Sequence, residues 1–80
     1  MVYSMERYEG EVKWFNNEIG YGFVHPFGDG DIINDKVEYF VHFTSIKMDG
    51  FKTLQAKQRV SFELKDTPKG VQATEVIILK

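Results

Sequence analysis

Apolar and polar residues alternate along five separate stretches of this chain, and residues that favour turns break the alternation between them. A period of two is the signature of strands with one face buried. Glu9 to Asn16 is the first stretch, with Val12 and Trp14 on one parity and Lys13 and Phe15 on the other. Tyr21 to His25 is the second, stopped by Pro26, which has no amide proton to give a ladder. Tyr39 to Phe43 is the third. Gln58 to Lys65 is the fourth, with Val60, Phe62 and Leu64 predicted inward and Ser61, Glu63 and Lys65 outward. Val71 to Leu79 is the fifth, and its end, Val76 to Leu79, is apolar on both parities, so the pattern assigns it no face. Asp66 to Gly70 supplies the last turn. Phe27 to Val37 is dense in Gly, Asp and Asn and predicts a loop or loose hairpin. Thr44 to Leu54 is too punctuated for a stable helix and predicts a long connection, with a single turn near Ser45 at most.

Short strands separated by turns predict an all-β fold, a small five-stranded antiparallel barrel whose closure removes exposed sheet edges. Gly20 and Gly22 agree with strongly bent strands, and Gly22 is expected to leave an open shelf between Tyr21 and Phe23. Two strands then carry too many rings for one core. Tyr21 and Phe23 share one side of the second strand and Phe40 and His42 one side of the third, each opposed to a valine, Val24 or Val41. The valine side suits the interior. Aromatic rings left in water are costly unless something flat sits on them.

Composition limits what that could be. The chain has 80 residues, enough for a single domain with one compact core and no second catalytic lobe. No apolar run approaches the roughly 20 residues of a membrane-crossing helix. With no cysteine there are no disulfides, no thiolate chemistry and no Cys-based zinc site, and a cytoplasmic location is expected. Met1 to Glu9 read as a short N-terminal extension without the basic and apolar regions of a secretory signal. The formal net charge of −2 does not resemble a protein that grips duplex phosphates. Binding has to rest on stacking instead.

Taken in order, Glu11-Val12-Lys13-Trp14-Phe15-Asn16, Gly20-Tyr21-Gly22-Phe23-Val24, Phe40-Val41-His42-Phe43-Thr44-Ser45-Ile46, Asp49-Gly50-Phe51 and Gln72-Ala73 resemble a bacterial cold-shock protein. The likeness runs from Gly10 to about Val76. It implies an OB-type barrel that binds single-stranded RNA and DNA with little sequence demand, acts as an RNA chaperone and cold-shock or expression regulator, and has no enzymatic activity. It places Lys13, Trp14, Phe15, Tyr21, Phe23, Phe40, His42, Phe43 and Phe51 on the binding face. Lys13, Lys52 and Lys69 would lie near phosphates, and Asn16 and Gln72 would meet base edges. Stacking on an aromatic is worth about 1 to 3 kcal/mol per base, enough for several rings to bind without a basic groove. Phe62, and Phe15 in part, are expected to be buried as well.

The chain departs from the family pattern in three places. Ile19 stands where lysine is usual, Tyr21 replaces the commoner phenylalanine, and Phe27 to Glu38 is several residues longer. That loop carries Asp29, Asp31, Asp35 and Glu38 against Lys36 alone, and is expected either to border the binding face, limiting the strand's path or adding Phe27 as a further ring, or to be a solvated insertion. Other chemistry fits poorly. Ile33 falls where a calcium loop needs its third ligand, and His25 and His42 lack partners for zinc. Ser45 and Ser61 show no nucleophile motif. No cofactor, small-molecule substrate or metal is implied. A monomer is expected. The alternative from another class is a protein-docking module, with the aromatic face covered by a protein partner or a second copy.

Overall fold

The computed structural model describes residues 7–30 and 32–79. Its strands are β1 (Tyr8–Asn16), β2 (Tyr21–Pro26), β3 (Tyr39–His42), β4 (Arg59–Thr67) and β5 (Gly70–Ile78), with one 3-10 turn at Phe43–Ser45. They form a closed barrel in the order β1-β2-β3-β5-β4. The barrel is not wholly antiparallel, as the alternation pattern alone predicts. β3 and β5 meet in parallel through Phe40 and Gln72, and a second parallel bridge joins Ile46 to Val76. The reason is arithmetic: a closed ring with an odd number of strands cannot alternate direction throughout, so one seam must be parallel.

Tyr8 and Glu9, expected from the sequence to belong to an N-terminal extension, pair with Phe62 and Ser61. Residues 1–6 of that extension lie outside the described residues. The core is built from Val12, Val24, Val41, Ile46, Leu54, Val60, Phe62, Ala73 and Val76. Burying side chains of this kind contributes about 1.5 to 3 kcal/mol each. Phe15, Tyr39, Met48, Leu64 and Ile78 pack on it from the rim.

Two irregularities overrule simple alternation. In β1, Val12 faces Val24 but Trp14 faces Phe23, so an extra residue is inserted between them. This β-bulge puts Val12 in the core and Trp14 outside, although the two share a parity. A second irregularity lies between Ser61 and Glu63, which face Ile77 and Thr74, and the extra residue is on β5. Glu75 takes a φ of 50° there, a left-handed conformation that costs a non-glycine residue about 1 to 2 kcal/mol. Ser61 is buried rather than outward, and Arg7 answers for it: the guanidinium donates to Ser61 Oγ from Nε at 3.2 Å and Nη2 at 3.0 Å. The same group reaches the Glu75 carbonyl at 2.5 Å and Glu63 Oε2 at 3.2 Å, tying β1, β4 and β5 together. The shift also settles the apolar end of β5, with Val76 buried, Ile77 exposed and Ile78 between.

Gly22 is buried and leaves no shelf. The backbone of β1 crosses directly over it, so an added Cβ would overlap the Trp14 carbonyl oxygen and sit 2.6 Å from Phe15 Cα. Gly22→Ala should therefore destabilise the barrel by about 3 kcal/mol or more. Gly28→Ala, whose Cβ meets nothing closer than 3.5 Å, should stay within about 0.5 kcal/mol of the parent when both variants are unfolded in urea.

Candidate nucleic-acid interface

Because Val24 and Val41 point into the core, the neighbours of each in β2 and β3 must point out. The register then sets Tyr21 beside His42 and Phe23 beside Phe40, while the bulge in β1 adds Trp14 beside Phe23. The result is one continuous sheet of rings. Centroids are 5.4 Å apart for Trp14 and Phe23, 6.0 Å for Trp14 and Tyr21, 5.1 Å for Tyr21 and Phe40, and 5.9 Å for Phe23 and Phe40. It extends from Phe40 to His42 at 6.4 Å and from His42 to Phe43 at 4.6 Å. The rings cover part of one another, edge to face at Trp14–Phe23 and Phe23–Phe40. Phe43 is 42% and Phe51 70% exposed, and both line a cleft at the far end with Ile19, Gly20 and Lys52. A second cleft, beside Tyr21, Phe23 and Phe40, is walled by Lys69, Val71 and Gln72.

Of the residues the sequence singles out, Trp14, Tyr21, Phe23, Phe40, His42 and Phe43 form the ladder, with Phe51, Lys52, Lys69 and Gln72 at its borders. Phe15 is half buried against the core. The Asn16 side chain is engaged within the fold, where its Oδ1 accepts the amides of Glu18 at 2.8 Å and Ile19 at 3.1 Å and closes the β1–β2 turn.

Residues 8–79 match the family model described as the 'Cold-shock' DNA-binding domain. The chain belongs to the cold-shock domain family. Over 70 residues it is 50% identical to the major cold shock protein CspA of Bacillus cereus, covering 88% of this chain and 94% of that one. It is 47% identical over 77 residues to the cold shock-like protein CspD of Vibrio cholerae, covering 95% and 90%. A solved structure of Drosophila Unr CSD456 shares the fold, with a TM-score of 0.71 at 19% identity, over 96% of this chain and 28% of that one.

In this cold-shock domain the loop that follows β2 folds back on itself. Gly28 N–H donates to the Ile32 carbonyl at 2.6 Å and Asn34 N–H to Pro26 at 2.9 Å. Phe27 is not part of the ring ladder. Its face is taken by the Arg59 guanidinium, 4.6 Å from the centroid, and Arg59 also pairs with Glu9 at 2.8 Å. The loop's end reaches the ring side, where Glu38 holds Lys13 Nζ at 2.8 Å. Motif reasoning misses this pair, yet parity signals it: Glu38 shares its side with Phe40 and His42. Val71 and Ile19, which line the clefts, give no such signal.

A phosphate approaching Lys13 has to displace Glu38. Both partners are about two-fifths exposed, with side-chain accessibilities of 43% and 39%, so the ion pair itself adds little stability, within about 1 kcal/mol. Glu38→Gln should leave the urea midpoint nearly unchanged. Single-strand affinity should rise a few-fold at low salt, and the slope of log affinity against log salt should steepen by about 0.7, one further neutralised phosphate.

Proposed function

We propose that this cold-shock domain binds single-stranded RNA and DNA with low sequence specificity by stacking unpaired bases on the ladder of Trp14, Tyr21, Phe23, Phe40, His42 and Phe43, with Phe51 at its end. The observation that carries the reading is the continuity of those rings, with neighbouring centroids 4.6 to 6.4 Å apart. Every base offers a π face, so such a ladder tolerates any sequence, and a duplex hides those faces. Charge is secondary: Lys52 and Lys69 carry no ion pair among the described residues, and Lys13 is shared with Glu38.

The cellular role that fits is RNA chaperoning in the cytoplasm, by a monomer without enzymatic activity. A hairpin arm caught while briefly open is held single by the rings. Binding by many weak contacts lets the strand leave again without ATP, so a ribosome or polymerase can pass. Cold-shock response and regulation of expression follow from keeping transcripts unfolded.

Trp14 lies within the ladder and reports on it. A short oligothymidine should quench its fluorescence, a duplex of the same length should not, and Phe23→Ala and Phe40→Ala should each weaken binding by about 1 to 3 kcal/mol while remaining folded. No quenching by any nucleic acid would overturn the reading and turn attention to a protein partner for the same face.

A further inference from the structure

The chain contains two histidines, and the structure holds them in opposite tautomers. His25 Nδ1 lies 2.8 Å from the Val37 carbonyl oxygen. A carbonyl can only accept, so the proton of His25 sits on Nδ1. His42 is bonded the other way round. It precedes the 3-10 turn Phe43–Ser45, and its Nδ1 accepts the Thr44 backbone N–H at 3.4 Å. An amide can only donate, so Nδ1 is the acceptor and the neutral ring carries its proton on Nε2. With Nδ1 an acceptor, the Thr44 hydroxyl donates to it at 2.9 Å, the shorter and stronger of the two bonds and the one that holds the ring, and has no other hydrogen bond among the described residues.

Geometry gives the tautomer a consequence. The two nitrogens of an imidazole point to nearly opposite sides of the ring, so with Nδ1 turned down to the 3-10 turn, Nε2 is directed away from it. His42 is flanked by Phe40 and Phe43 in the ladder, and its Nε2 has no hydrogen-bond partner among the described residues. We propose that Thr44 is a positioning residue that fixes His42 as the Nε2–H tautomer, so that His42 offers the bound strand a hydrogen-bond donor aimed at an acceptor oxygen, either a pyrimidine carbonyl or a phosphate. A ring free to exchange tautomers would present a donor for only part of the time and an acceptor for the rest. The inference rests on the single-strand reading above and adds direction to a surface that otherwise recognises only flatness.

The test uses the full chain, labelled with nitrogen-15, in mildly alkaline buffer. Long-range proton–nitrogen correlation should show one imidazole of each tautomer, and the Nε2–H pattern should vanish in His42→Phe, which assigns it. Thr44→Val should mix the tautomers of His42 and weaken oligothymidine binding about two- to fivefold, and Thr44→Ser should preserve both. His42→Phe retains a stacking ring without the donor and should lose about two- to tenfold, the scale of one net hydrogen bond. A loss confined to oligothymidine places the acceptor at thymine O4, and an equal loss with oligodeoxycytidine places it at phosphate or at the O2 common to both; either supports the inference. His42 found as Nδ1–H in the unmodified protein, Thr44→Val with spectrum and affinity unchanged, or His42→Phe binding as well as the parent would each overturn it. If the unmodified protein bound no single strand, the functional reading would fail first, and the spectrum would still show whether the tautomer is fixed.

Discussion

The close crossing of β1 over β2 is the constraint on which the rest of the molecule depends. A five-stranded barrel of this size closes only if β1 coils tightly enough to pair with β2 along one half and with β4 along the other. Gly22 permits the approach by having no Cβ. The bulge after Val12 supplies the extra twist and, in the same step, turns Trp14 from the core side to the outside. Closure and the aromatic face are therefore one event. Without the inserted residue, Trp14 would follow Val12 inward, where a valine-lined core has no room for an indole, and the ladder would lose its β1 member.

The same two strands serve interior and surface at once. Val24 and Val41 are fully buried, at 0% exposure, and each is flanked by rings that face out. That arrangement makes the ring face rigid. The backbone beneath each ring is pinned by a core side chain one residue away, so the ladder is organised before any ligand arrives and little conformational entropy remains to be lost on binding. Mutual edge-to-face packing of the rings also lowers the cost of leaving them uncovered, since each contact removes ring surface from water.

How much of this can be read from the chain depends on whether two-residue alternation holds. Where it does, in β2 and β3, Tyr21, Phe23, Phe40 and His42 fall on the outer side without further information. It fails at both irregularities. Nothing in Glu11-Val12-Lys13-Trp14 announces an inserted residue, and Ser61 is polar yet buried because Arg7, 54 residues away, supplies its hydrogen bonds. Asn16 looks equally available to a base or to a turn, and only the path of the chain shows its oxygen bound to the amides of Glu18 and Ile19. Long-range pairing decides such cases, as it decides the parallel seam between β3 and β5, which strand count implies and local pattern does not show.

The acidic loop poses the remaining question, how a chain with a net charge of −2 can receive a polyanion. Its answer lies in placement rather than in total charge. Phe27, paired across the loop with Ile33 and covered by Arg59, directs the loop back over the end of β2 and toward β4. Asp29 and Asp35 ride on the exposed part of that hairpin, and at physiological salt their repulsion is screened beyond about 8 Å. Glu38 is brought to the ring side, and there it meets Lys13 instead of facing a strand unpaired. Near the bases the local charge is thus balanced or positive, with Lys52 and Lys69 at the borders. Asp29 and Asp35 are tolerated because the anchoring of the loop through Phe27 turns their part of it away from the rings.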